Sequence, residues 1–446
     1  MYIDSGLHIL KTKDNDAIIK YLKMKYTQTV WDDYDNNISH TVYFYIETDD
    51  EVIFPRFSLD NKNIENKSYI GEDIEIKSNI VLRTDAENKD IQKSSVQFII
   101  NNDCCIVKCI PGFGKTVVAI EAISRVKKKT LIIVDQLSLI EQWKDRFKQH
   151  SNISEEDMTI LTDKFDMNYK IIFTTIQFLL SKIKRFKNIN QIMKDSKIGF
   201  IIFDEVHSLI GPEKFTTVCN ICYAQRLVGL SATPFKNSQQ ELVITSWLSQ
   251  NQFVYDKYQL LPKIQKISFK NRIPDKTMIY IYWNESFHKN RYYKSLMKHT
   301  EYIKFVSSII FKLYNRNRHI LCLTYLNQMI EEIKNCLIEN YNVDEKDVGF
   351  FISGKSKDEL KHKIVLSNYQ MCYKGMDEPK LDTLIFLSYM ISPTYLEQSI
   401  GRILRIHKNK QEPLVIDFVD ERIPESVAAW EQRKKFYMLK KFMLKE

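Results

Sequence analysis

The chain has 446 residues, enough for about three domains with their own cores, and its 44% hydrophobic and 27% charged residues exclude a disordered or fibrous protein. No run reaches the ~18 uninterrupted apolar residues of a membrane span, and the opening MYIDSGLHIL lacks the basic and apolar regions of a secretion signal. The chain is therefore expected to stay where it is made, in the cytoplasm (a host's, if viral), with no membrane partner. The net charge of +9 is uneven: residues 1–79 hold 9 Lys and Arg against 15 Asp and Glu, a balance of −6, and residues 80–446 hold 56 against 41, a balance of +15. The basic part suits a polyanion; a solubilising lysine surface is the alternative.

Residues 1–79 predict a small α+β accessory domain, with a helix near Asp16–Tyr26, a strand over Thr41–Glu47, a turn at Thr48-Asp49-Asp50 and a returning strand over Glu51–Phe57. Arg56 with Tyr43, Phe44, Tyr45, Phe54 and Phe57 could form a contact surface, but strand alternation puts half of those rings in the core. A polar stretch, Asn61–Asn79, links this domain onward.

Over residues 80–250, apolar strands at Cys104–Cys109, Thr130–Val134, Lys170–Thr174, Ile198–Phe203 and Arg226–Leu230 alternate with helical stretches, which implies a parallel sheet covered on both faces. The first strand runs into Ile110-Pro111-Gly112-Phe113-Gly114-Lys115-Thr116 and then a helix. Two glycines let backbone N–H groups converge on an anion at the positive end of that helix. Lys115 adds a point charge for β- and γ-phosphates and Thr116 a hydroxyl for Mg²⁺, so a nucleoside triphosphate is the expected ligand. Cys109 stands where the phosphate-loop pattern has its first glycine, and a chance turn is the competing reading.

Eighty-nine positions after Lys115, a strand ends in Asp204-Glu205-Val206-His207, at a distance that puts both on neighbouring strands. Asp204 can hold Mg²⁺ opposite Thr116, and Glu205 can orient and deprotonate a water. Ser231-Ala232-Thr233-Pro234 closes the following strand; its hydroxyls could bond the acidic pair and report its state, although a plain strand exit is preferred. Cys219 and Cys222 form a CxxC with no second ligand pair at zinc-finger spacing, so no structural metal is expected, and all eight cysteines are expected reduced.

Residues 251–421 carry a second series of strands, at His319–Thr324, Val348–Ile352, Lys363–Leu366, Thr383–Leu387 and Leu414–Phe418, preceded by a strand at Thr277–Tyr282 and a long helical region over Glu285–Asn315. There is no second phosphate loop. In Gln398-Ser399-Ile400-Gly401-Arg402-Ile403-Leu404-Arg405, two arginines three apart share a helical face and could meet a γ-phosphate when this body closes on the other; a salt-bridged surface helix is the alternative. Residues 422–446 predict a basic C-terminal helix, packed on this domain or touching nucleic acid or a partner.

Taken in order, PGFGKT, DEVH, SATP and QSIGRILR resemble motifs I, II, III and VI of the superfamily 2 DExH helicases. Gln92, 23 residues before Lys115, is similar to the adenine-reading glutamine of the group that includes XPB and the phage UvsW branch-migration helicases. Leu131–Trp143 is similar to motif Ia, Thr174-Thr175-Ile176-Gln177 to a later strand-contacting motif, Ile320–Tyr325 to motif IV, and Ser367–Asp377 to motif V. The resemblance implies two tandem RecA-like parallel-sheet domains with ATP and Mg²⁺ between them. Lys115, Thr116, Asp204, Glu205, Arg402 and Arg405 would hydrolyse ATP; Gln92, Pro111, Gly112, Phe113, Gly114, Gly375 and Asp377 would help bind it. His207, Ser231, Thr233 and Gln398 would couple the domains, and Thr174, Thr175 and Gln177 would touch the nucleic-acid backbone. It further implies a DNA helicase or duplex translocase, 3′ to 5′, acting on branched or duplex DNA in recombination, replication or repair. Single-stranded DNA is a further partner, RNA the less favoured one, and a monomer one expected state.

Overall fold

The computed structural model describes every residue except 32–38, 61–63, 86–88, 207–210, 236, 284–285, 299, 354, 374–375, 377, 390–391 and 446. It divides into two units, Met1–Lys257 and Tyr258–Glu446. Among the described residues no helix is long and apolar enough to cross a membrane.

The first unit is built on a seven-stranded, all-parallel sheet in the order Met158–Ile160, Ile171–Thr175, Thr130–Val134, Phe200–Asp204, Arg226–Ser231, Cys104–Cys109, Gln252–Tyr255. Its central strands are buried throughout apart from Arg226, as a sheet covered by helices on both faces requires. Arg226–Ser231 lies between the strand that feeds the phosphate loop and the strand that ends in Asp204, so the two motif strands are next but one rather than neighbours.

The second unit repeats this architecture. Its sheet runs Val348–Phe351, Ile364–Asn368, Ile320–Thr324, Thr383–Phe386, Leu414–Asp420, Lys263–Phe269, Met443–Lys445, again wholly parallel. Numbered along the chain within each unit, both sheets have the order 3-4-2-5-6-1-7. The two units are thus tandem RecA-like folds.

Two expected elements differ. Thr277–Tyr282 was expected as a strand, but Asp275–Ile281 is a helix: Pro274 fixes the entry, its carbonyl accepts the Thr277 and Met278 N–H groups, and Ile281 turns into the core. The tail is a helix only over Pro424–Leu439. Lys441 takes a left-handed φ of 57°, which ends the helix and turns Met443–Lys445 into a strand beside Lys263–Gln265. The region 285–315 holds two helices, Lys289–Lys298 and Thr300–Tyr314.

The amino-terminal residues are seated on the first unit's core. Tyr2–Ile3, Leu7–Leu10, Ile46–Glu47, Glu51–Phe54 and Glu65–Asn66 form a small sheet, and Ile3, Leu7, Phe44 and Phe54 pack in one cluster with Phe215 and Trp247. Arg56 is not a surface residue. It is 3% exposed and donates to the carbonyls of Asp4, Cys222 and Ala224 at 2.6, 3.0 and 3.0 Å. The stretch after it is a belt rather than a loose tether: Tyr69, Glu72 and Ile74 donate their N–H groups to the carbonyls of Tyr223, Lys197 and Lys127, just before the strands begin. Gly71 crosses Gly199 so closely that a Cβ on it would lie 2.2 Å from the Gly199 Cα.

Within this module His8 is buried between two carboxylates, its Nε2 2.6 Å from Asp4 and its Nδ1 2.9 Å from Glu51, with the Tyr2 ring stacked on it at 4.5 Å. Burial by itself would lower the imidazole pKa, but Asp4 and Glu51 outweigh it and hold it above 6.5. Asp4 is held below 3.8, because the His8 and Ser5 bonds overcome its own burial. The His8 contribution to stability is therefore full below 6.5 and lost as pH rises through its folded value; the Asp4 contribution is lost as pH falls below 3.8. The expected result is that the thermal midpoint advantage of the wild type over His8→Gln is full below pH 6.5 and shrinks as pH rises above it. A difference that stays constant through that rise would refute the charged pairing.

Candidate functional site

The strand Cys104–Cys109 delivers the phosphate loop at the carboxyl edge of the first sheet. Gly112 and Gly114 have φ values of 83° and 93°, a region open to glycine, and the helix Lys115–Val126 begins directly after them. A side chain at Gly114 has no room, since a Cβ would sit 2.8 Å from the Gln92 Nε2. Cys109 departs from the glycine pattern without strain: it is paired in the extended ladder with Tyr255. Its burial pushes the thiol up to about 12, so it is neutral. Its carbonyl accepts the Lys115 Nζ at 3.2 Å, which parks the lysine over the loop.

Gln92 is 4% exposed and bridges two backbones: its Nε2 donates to the Phe113 carbonyl at 2.6 Å and its Oε1 accepts the Arg83 N–H at 2.7 Å. Phe113 is buried with its ring 5.3 Å from Tyr255. The structure thus places Gln92 behind the loop, with both ends of its amide engaged.

On the next-but-one strand, Asp204 is 7% exposed. Its Oδ2 accepts the Trp143 indole N–H at 2.8 Å and its Oδ1 accepts the Glu205 backbone N–H at 3.0 Å. Burial, then the neighbouring Glu205 carboxylate, raises Asp204 to about 6 despite the indole bond. Glu205 has a φ of 50°, which costs a non-glycine residue roughly 1 kcal/mol or more and aims its side chain off the strand line. Ser231, between the two motif strands, is buried and accepts the Thr233 N–H at 3.0 Å, a tight exit turn. His207 lies outside the described residues.

A divalent cation fits the donor set. Asp204 offers a carboxylate, Thr116 a hydroxyl and bound phosphates the rest, the sparse protein ligation that Mg²⁺ takes in phosphate sites. The φ-positive glycines at a helix start likewise fit a triphosphate.

The remaining residues are spread over both units. Thr174 is buried within its strand, whereas Thr175 caps the helix Ile176–Ile183 by accepting the Phe178 N–H, and exposed Gln177 donates to the Asp135 carboxylate at 2.9 Å. Thr175 and Gln177 are thus the reachable members of that trio. In the second unit Gln398 is buried on the helix Pro393–Ile403, and Arg402 donates to the Met376 carbonyl at 2.8 Å. The helix ends at Ile403, so Arg405 sits beyond it rather than on the same helical face, its carbonyl accepting Lys410 Nζ at 2.7 Å. Gly375 and Asp377, on either side of Met376, lie outside the described residues.

Trp143, which the sequence placed only at the end of a stretch similar to motif Ia, donates to Asp204, and that pairing has a detectable signal. A tryptophan on the buried face of a helix needs a hydrogen-bond partner for its N–H, and an acidic strand end is a ready one.

A sequence model described as "Type III restriction enzyme, res subunit" matches residues 76–236, from the belt to just beyond the Ser231–Pro234 exit. The chain is 29% identical over 326 residues to L396 of Acanthamoeba polyphaga mimivirus, a protein assigned as an ATP-dependent RNA helicase. That match takes in 69% of this chain and 59% of the relative, so the chain spans about three fifths of its length. It is 27% identical over 175 residues to the DNA 3′-5′ translocase XPB2 of Sulfurisphaera tokodaii, covering 38% of this chain and 37% of that one. Among solved structures, a fragment assigned to the HsdR subunit of a type I restriction enzyme of Vibrio vulnificus YJ016 superposes with a TM-score of 0.51 at 13% identity, over 76% of this chain and 65% of the fragment. That likeness concerns the fold. With its motifs in family order on two sheets of one topology, and with these relatives, the chain is similar to the superfamily 2 helicases.

Proposed function

We propose that the chain is an ATP-dependent DNA helicase or duplex translocase, moving 3′ to 5′ on branched or duplex DNA. The observation that carries the reading is the meeting, at one carboxyl edge, of the glycine phosphate loop and the Asp204–Glu205 strand end. In this reading ATP supplies the phosphoryl group and Mg²⁺ screens its charge. Loop N–H groups bind the phosphates while Lys115 releases the Cys109 carbonyl for the γ-phosphate. Thr116 and Asp204 hold the cation, and Glu205 accepts the proton of the attacking water. Pro111, Gly112, Phe113 and Gly114 shape the loop, Gln92 recognises the base, and Gly375 and Asp377 complete the nucleotide site. Arg402 and Arg405 neutralise developing charge when the second unit engages. His207, Ser231, Thr233 and Gln398 relay that engagement, and Thr175 and Gln177 meet the nucleic-acid backbone.

DNA is favoured by the relative named as a DNA 3′-5′ translocase, and the +15 balance of residues 80–446 suits either nucleic acid. A role in branch migration or recombination, in a phage or large virus, belongs to the same proposal, as does an accessory part for residues 1–79, motor parts for 80–250 and 251–421, and a C-terminal part for 422–446. RNA is the second reading, favoured by the relative assigned as an RNA helicase. A motor subunit of a restriction complex is a third, favoured by the matched family's description.

The test is steady-state ATP turnover with single-stranded, duplex and four-way-junction DNA and with RNA, with Lys115→Ala as the blank. Duplex or junction DNA is expected to stimulate most. Stimulation by RNA alone would replace the DNA reading with the RNA one.

A further inference from the structure

We propose that Trp143 is a positioning residue for the metal-holding carboxylate: its indole N–H fixes Asp204 Oδ2 so that the remaining lone pairs are presented to Mg²⁺. The proposal rests on the nucleotide reading above and adds a residue to it.

The geometry is specific. Trp143 is 1% exposed, sits on the helix Leu137–His150, and donates Nε1 to Asp204 Oδ2 at 2.8 Å. That helix follows the strand Thr130–Val134, which pairs directly with Phe200–Asp204, so the indole reaches the carboxylate across one strand step. Phe147, one turn on, holds the indole edge with ring centroids 6.1 Å apart. The other oxygen is oriented independently by the Glu205 N–H at 3.0 Å.

A carboxylate has about four acceptor sites, and these two bonds use two of them. Both donors are neutral, which matters. A lysine or arginine in the place of Trp143 would orient the carboxylate equally well but would cancel its charge and repel the cation. Indole is a donor only, so the bond cannot reverse. Groups that orient a metal ligand in this way are typically worth about 10- to 100-fold in metal affinity.

The same helix begins just after Asp135, whose carboxylate accepts Gln177 Nε2 at 2.9 Å. Gln177, on the separate helix Ile176–Ile183, is thus tied by one hydrogen bond to the segment that leads into the Trp143 helix. A shift of that helix moves the donor on which Asp204 depends.

The experiment measures ADP binding to the full chain by calorimetry, in EDTA and across a Mg²⁺ titration. Trp143→Phe is expected to bind ADP in EDTA as the wild type does, because the phosphate loop and Gln92 do not touch the indole. It should need about 10- to 100-fold more Mg²⁺ to reach its magnesium-dependent affinity, with Trp143→His, which restores a ring N–H, falling between. Equal Mg²⁺ dependence in wild type and Trp143→Phe overturns the proposal. Loss of ADP binding by the wild type itself overturns the nucleotide reading, and the proposal with it.

Should Trp143→Phe fail to fold, the wild type labelled with fluorotryptophan answers the same question. Addition of Mg²⁺ to the ADP-bound chain is expected to move one fluorine resonance, and the movement should vanish in Asp204→Asn. If no resonance moves, the proposal fails.

Discussion

Glu205→Gln lowers ATP turnover by about 10²- to 10⁴-fold while nucleotide binding stays near the wild-type level. The change removes the charge and turns one acceptor oxygen into an N–H donor, while the amide keeps the size. Glu205 stands in a left-handed conformation with a φ of 50°, which the strand end sustains by tying its N–H to Asp204 Oδ1 and the next N–H to the Leu230 carbonyl. A backbone held there at a cost implies a side chain whose direction matters. Asp204 is untouched by the change, so magnesium-dependent ADP binding separates loss of the base from loss of the cation site. Single-turnover kinetics beside calorimetry make the comparison, and a Glu205→Gln chain at full speed removes Glu205 from the chemistry.

Arg433→Ala destabilises the second unit by about 3–5 kcal/mol. Arg433 and Asp417 are both 0% exposed and joined by two parallel bonds of 2.8 Å, Nε to Oδ2 and Nη2 to Oδ1. Tyr437 donates to the same carboxylate at 2.9 Å. Removing the guanidinium strands a charged carboxylate in the middle of a central strand, where the remaining tyrosine cannot compensate it. The paired change Arg433→Met with Asp417→Leu should recover most of the loss, because then no buried charge is left alone. Urea unfolding, followed by the tryptophan emission of Trp430, which lies on the same helix, makes the measurement. An Arg433→Ala midpoint equal to the wild type would mean the pair is replaceable by water.

These two effects differ in how readable they were. The phosphate loop and the Asp204 strand end stand out because a parallel strand buried on both sides must be apolar, which makes a glycine turn or an acidic terminus conspicuous. Arg433 looked like one of several basic residues on a tail helix; only the fold brings Asp417, sixteen positions earlier, beneath it. Trp143 and Asp204 are 61 positions apart, and no local pattern joins them. Strands near the sheet margins were missed for a related reason. Gln252–Tyr255 and Met443–Lys445 are four and three residues long, too short to show a period, and Val254 and Met443 lie exposed at the sheet margin. The helix at Asp275–Ile281 was misread because its residues favour strands intrinsically, while Pro274 and the burial of Ile281 decide otherwise.

The belt over Tyr69–Ile74 gives the first sheet two unlike ends. At the amino edge, the carbonyls of Tyr223, Lys197 and Lys127 are already capped by belt amides, at 2.8, 2.9 and 2.9 Å. Those amides can exchange their hydrogens with deuterium only when the belt lifts from the sheet edge. The glycine loop at the opposite edge keeps amide donors for a ligand and should exchange early. Deuterium uptake along this sheet is thus expected to run as a gradient, slowest under the belt and fastest at the phosphate loop, with nucleotide slowing only the fast end.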